Sequence, residues 1–228
     1  LGARAVLERT GRSGPPIELR ARAWYNPALQ SQVYNVPAVI GVIVLLMCLL
    51  LTALAVVRER ELGTLDQLLV SPLSAGELIL GKTLPVAGIA LAQLAMITAV
   101  ALLWFGIPFR GFAPFLLAGA ILYILAGLGF GLLISTLSRT QQEAFLAIFL
   151  FFFPAIILSG FLYPIDTMPA LFQDLTLLNP LRHFLEIVRG IFLKGVGPGA
   201  LWVQYGALLG MAALVLGLAV VRFRRSVE

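Results

Sequence analysis

Gly76-Glu77-Leu78-Ile79-Leu80-Gly81-Lys82-Thr83 satisfies G-x-x-x-x-G-K-[ST], the spacing with which a glycine-rich loop wraps nucleotide phosphates and a lysine reaches their charge. Taken alone, it would make the chain a nucleotide hydrolase. That chemistry needs a buried strand before the loop, backbone amides curled around the phosphates and a helix opening near the lysine. Ser71-Pro72-Leu73-Ser74 instead reads as a turn, and Ser74 with Glu77 makes a capping box, so a helix is expected to start near Ala75, ahead of the supposed loop. Leu78, Ile79 and Leu80 would have to line a phosphate cradle, and no apolar strand ending in Asp is present to hold magnesium. The match is read as coincidence, with Gly81 a helix-packing position and Lys82 a cationic anchor at a membrane surface.

Little else in the chain is reactive. Cys48 is the one cysteine and sits in an apolar run, so there is no thiol pair for a metal, a disulfide or redox chemistry. His183, the one histidine, stands beside Arg182 without a cysteine or carboxylate cluster, and is expected to be a surface residue that binds no metal. No nucleophile or acid/base pair is apparent. Catalytic, metal and cofactor sites are all expected to be absent from this chain.

The elements that position these residues follow from how the apolar residues are distributed. The chain has 228 residues, 60% hydrophobic and 12% charged, whereas soluble domains run to about 25% charged. Five runs, residues 36–57, 84–107, 114–137, 144–162 and 200–221, contain no Lys, Arg, Asp or Glu. A helix of about 20 residues crosses the roughly 30 Å hydrocarbon layer and satisfies its own backbone there. The expected fold is an all-α integral membrane protein, a polytopic bundle with five transmembrane helices. Arg58, Arg60, Lys82, Arg139, Arg222, Arg224 and Arg225 all flank run ends on one face, which should be cytoplasmic, with the C-terminus. The net charge of +5 is thus spent on membrane flanks, and no nucleic-acid patch forms.

Residues 1–35, with five arginines and Trp24-Tyr25 suited to the headgroup layer, read as the end of an extracytoplasmic segment; the start at Leu1 suggests an N-terminally incomplete chain. Residues 163–199 are too apolar for a free loop and too interrupted to span. There Leu181, Phe184, Leu185, Val188, Ile191 and Phe192 recur at helical spacing, with Arg182, Glu186 and Arg189 opposite, so short external helices should lie at the interface or dip back into the membrane. Pro164, Pro169 and Pro180 divide the stretch. Within the runs, Gly127 with Gly131 and Gly206 with Gly210 form G-x-x-x-G pairs that would let helices approach closely, and Pro154 is expected to kink its helix. Thr52, Gln93, Thr98 and Ser135 either line a path or bond across helices, with the second reading preferred.

Residues 58–83 form the cytoplasmic loop, beginning Arg58-Glu59-Arg60-Glu61-Leu62-Gly63-Thr64-Leu65-Asp66-Gln67-Leu68-Leu69-Val70-Ser71-Pro72. Leu62, Leu65, Leu68 and Leu69 share one face, which predicts a short amphipathic helix stopped by Ser71-Pro72.

This loop, with Glu77-Leu78-Ile79-Leu80-Gly81-Lys82 and Pro85, resembles the membrane (permease) subunits of type-2 ABC exporters. Further likenesses are Trp24-Tyr25-Asn26-Pro27, Val36-Pro37, Ser135-Thr136-Leu137-Ser138-Arg139-Thr140-Gln141-Gln142, Ser159-Gly160-Phe161-Leu162-Tyr163-Pro164-Ile165, Met168-Pro169 and Asn179-Pro180, in the family's order along nearly the whole chain. The resemblance implies a six-helix permease of which these are the second to sixth spans. It also implies a bacterial inner-membrane exporter that works as a dimer with a second copy or a homologue; the apolar, uncharged runs would suit a lipophilic drug, lipid or polymer as cargo, which the sequence leaves open. ATP and magnesium would be bound by a separate ABC ATPase subunit. Its docking element would be a coupling helix in the 58–83 loop, carrying Glu59, Gly63, Thr64, Asp66, Gln67, Ser71 and Pro72. The chain departs from the family in lacking the first span and most of the external domain, and in having Asp66 and Ala38 for an expected Glu and Gly. A rival, an ion-coupled secondary transporter, would keep an ionisable residue within a span, and none of the five runs has one.

Overall fold

The computed structural model describes residues 31–63 and 75–225. Among them are seven α-helices: α1 (Ser31–Glu61), α2 (Ala75–Leu103), α3 (Ala113–Leu137), α4 (Gln141–Ile157), α5 (Ala170–Thr176), α6 (Pro180–Arg189) and α7 (Trp202–Arg225). The regular structure of the described residues is therefore all-helical. Four of the helices, α1, α2, α3 and α7, are long and apolar enough to cross a membrane, making this a polytopic helical membrane protein.

Helix ends follow local chemistry. Past Glu61 the chain turns through Leu62 and Gly63, where Gly63 adopts φ 70°, a left-handed conformation open to glycine at little steric cost. Gly63 therefore ends α1, whereas the sequence pattern placed it inside the amphipathic helix. The fourth helix is also shorter than the expected run of 144–162: α4 has 17 residues, about 25 Å at 1.5 Å per residue. Pro154 in its last turn offers no amide hydrogen, and the chain then folds back through Ser159 and Gly160, the latter at φ 76°.

Helix α1 is the hub, packing against α2, α3, α4 and α6, while α3 lies between α1 and α7. Burial reflects this, since 50% of the most apolar stretch of α1 and 61% of that of α3 is covered, against 22% for α2 and for α7. Glycines bring α3 close on two sides. A Cβ on Gly127 would lie 3.0 Å from the Cys48 Cβ, and one on Gly131 2.8 Å from the Thr52 Cβ, both on α1; one on Gly129 would meet the Leu216 backbone nitrogen of α7 at 3.1 Å. Gly206 and Gly210 of α7 have no such neighbour among the described residues within 4 Å.

Helix α6 is inserted into the bundle. Leu181, Phe184, Leu185, Ile187, Val188, Ile191 and Phe192 are all fully buried. Gly41 of α1 admits the Phe184 and Leu181 side chains, and Tyr123 of α3 stacks on Phe184 at 4.1 Å between ring centres while its hydroxyl donates to the Gly41 carbonyl at 2.9 Å. This insertion corrects the expectation for His183. The side chain is 4% exposed, with Nε2 3.0 Å from the Leu177 carbonyl, because the α5–α6 turn covers the position beside Arg182.

Candidate functional site

The charged residues that could meet a partner gather where α1 ends. Glu59 forms an ion pair with Lys82 of α2. Arg60 donates through Nη1 to the carbonyls of Ser135 (3.3 Å) and Ser138 (3.0 Å), at the C-terminal end of α3. Glu61 accepts at Oε2 from the Gln141 side-chain amide (2.7 Å) and backbone amide (3.4 Å), at the N-terminal end of α4. The electrostatics suit the helix ends: a guanidinium meets the partial negative charge of one terminus, and a carboxylate the partial positive charge of the other.

The corner between α3 and α4 is itself well tied. Ser138 caps α3, its amide donating to the Ile134 carbonyl. Thr140 caps α4 by accepting from the Glu143 amide at 3.2 Å, and the Glu143 carboxylate accepts from the Arg139 amide at 2.7 Å, a variant of the reciprocal capping box. Beneath it, Val56, Ile79, Leu132 and Ala219 from α1, α2, α3 and α7 make a small apolar cluster.

Gly76 to Thr83 lies within the first turns of α2, not in a loop. Lys82 is engaged with Glu59 and the Thr83 hydroxyl donates to the Ile79 carbonyl at 2.9 Å, so neither is arranged to meet a phosphate. Among the described residues no group of three or more His, Cys, Asp or Glu side chains could hold a metal. Of the residues assigned to the coupling element, Glu59 and Gly63 are described. Thr64, Asp66, Gln67, Ser71 and Pro72, together with the apolar face of Leu65, Leu68 and Leu69, lie outside the described residues. Arg60, Glu61, Ser138 and Gln141 were not singled out as a group from the sequence, although the alternation Glu-Arg-Glu at a helix end was a usable signal.

A second polar group surrounds α6. Arg182 contacts Glu186 (3.4 Å) and the Thr176 hydroxyl, Glu186 accepts from the Gln204 amide (2.5 Å), and Arg189 donates to the Gly160 carbonyl (3.1 Å). The face predicted to be polar therefore ties α5, the turn after α4 and α7 together. Inside the bundle, the side chains of Thr52, Gln93, Thr98 and Ser135 make no bond across helices among the described residues. Ser135 bonds within its own helix to the Leu132 carbonyl (2.6 Å), and Thr52 Oγ1, Gln93 Oε1 and Thr98 Oγ1 have no hydrogen-bond partner among the described residues. For Thr52 the reason is the close approach of Gly131, which brings backbone without a polar side chain.

Residues 5–221 match the family model described as ABC-2 family transporter protein. The chain is 41% identical over 210 residues to "Probable multidrug ABC transporter permease YbhR" of Escherichia coli (strain K12), covering 92% of this chain and 57% of that protein. It is 34% identical over 215 residues to "Probable multidrug ABC transporter permease YbhS" of the same organism, covering 94% and 57%. With "Inner membrane transport permease YhhJ" it shares 30% identity over 223 residues, covering 94% and 58%. The chain thus spans less than two thirds of the length of these curated relatives.

Proposed function

The chain belongs to the ABC-2 family of transporter proteins, and from that membership we propose that it is the permease part of an ATP-driven exporter of the bacterial inner membrane. Residues 58–83 form its cytoplasmic loop, residues 163–199 its external helices, and α4 joins the four longer helices as a fifth crossing. ATP is hydrolysed on a separate ATPase subunit, which docks on the loop through Gly63, Thr64, Asp66, Gln67, Ser71 and Pro72, with Glu59 at the loop's root. A second copy or a homologue completes a dimer, and substrate passes between the two permeases. A lipophilic drug is the favoured cargo, in keeping with the names of two of the relatives.

One observation supports this reading beside the family membership: the loop leaves α1 at the Gly63 turn, directly beside charged residues that reach α2, α3 and α4. Closure of an ATPase pair against such a loop moves packed helices as rigid bodies, and requires packing rather than a reactive side chain on the permease. The test uses the permease as encoded by its gene, co-expressed with its ATPase. The ATPase should co-purify, and ATP-dependent ethidium efflux should fall in Gly63→Ala, Asp66→Ala or Gln67→Ala. Unchanged assembly and efflux in all three would refute the docking assignment.

A further inference from the structure

We infer that Glu59, Arg60 and Glu61 act together as a transmission clamp, locking the root of the loop to three helices at once. The inference rests on the proposed docking of an ATPase on this loop and assigns these residues a different task from the docking contacts: they position the loop rather than touch the partner.

The geometry follows from helical periodicity. Successive residues on an α-helix are about 100° apart, so three in a row fan through about 200° and face three different neighbours. Here the neighbours are Lys82 of α2, the terminal carbonyls of α3 and the first amides of α4. Each contact also has the right sign: carboxylate to ammonium, guanidinium to a helix C-terminus, carboxylate to a helix N-terminus. The triplet lies one turn above the apolar cluster of Val56, Ile79, Leu132 and Ala219 and just before the turn at Gly63. Without the clamp, a push on residues 64–74 would bend the end of α1. With it, the same push is shared by α1, α2, α3 and α4.

The charge pair allows a direct test. In proteoliposomes holding the permease and its ATPase, Glu59→Lys and Lys82→Glu should each lower ATP-driven ethidium efflux about tenfold with the ATPase still bound. The double reversal should return to within about threefold of the parent, because the two sites are coupled. A docking contact would not be rescued in this way. Loss of the ATPase from the single variants, single variants with parental efflux, or a double variant as impaired as the singles would each overturn the clamp. If a reversal keeps the chain out of the membrane, Glu61→Arg carries the test: efflux must fall with the ATPase retained, and undiminished efflux overturns the inference. A parent complex that retains no ATPase, or shows no ATP-driven efflux, refutes the proposed function itself.

Discussion

Glycines of identical type play unequal parts in this protein, and only their neighbours distinguish them. Gly131 faces the Thr52 Cβ and the Cys48 carbonyl, where an added Cβ would lie at 2.8 Å and 3.3 Å, whereas Gly210 meets no described residue within 4 Å. Forcing a larger side chain into a packed helix seam costs about 1 to 3 kcal/mol. Gly131→Leu should accordingly lower the stability of the purified protein by that amount in a detergent unfolding titration. Gly210→Ala should leave it within about 0.5 kcal/mol of the parent, as is usual where nothing is touched. Equal destabilisation by both changes would contradict the observed packing of α3 on α1.

At the scale of elements, α4 and α6 are joined through one side chain. Helix α4 ends in carbonyls without helical partners: Leu158 donates to that of Pro154, Ser159 to that of Ile156, and Asn179 Nδ2 to that of Ala155 at 2.7 Å. The same Asn179 accepts through Oδ1 from the Leu181 amide at 3.0 Å, capping α6. It is 7% exposed, so water cannot readily replace either bond. Asn179→Ala should cost about 1 to 2 kcal/mol, the usual loss for a helix cap. Faster amide exchange at Leu181 would accompany the loss, with α2 unaffected; protection unchanged at Leu181 would contradict the double-capping role. Amphipathic spacing already identified the buried face of α6. It could not say that this face meets Gly41, Gly119 and Tyr123, since those contacts join residues 60 or more positions apart.

For the whole molecule, the testable property is its direction across the membrane. Arg139 and Asp166 are both exposed and lie at opposite ends of α4. Clustering of Arg58, Arg60, Lys82, Arg139 and Arg222 near one set of helix ends predicts that this end is cytoplasmic. In intact cells an impermeant maleimide should label Asp166→Cys, and should label Arg139→Cys only after permeabilisation. Cys48 is buried and leaves a low background. The opposite labelling pattern would invert the topology and remove the loop from reach of a cytoplasmic ATPase.

The sequence by itself determined that the chain is a helical membrane protein, which segments are apolar, and where the few charges must sit. These are properties of contiguous segments, because the cost of placing a charge or an unpaired backbone group in hydrocarbon is felt locally. It also showed that Gly76 to Thr83 belongs to a helix, through the local capping signal of Ser74 and Glu77. Tertiary structure alone decided that His183 is covered, that Gly131 packs against Thr52, that Gly206 and Gly210 meet none of the described residues within 4 Å, and that Glu59, Arg60 and Glu61 reach three different helices. Each of those outcomes depends on which distant segment packs alongside, and helical periodicity specifies the face a residue occupies but not the neighbour it meets.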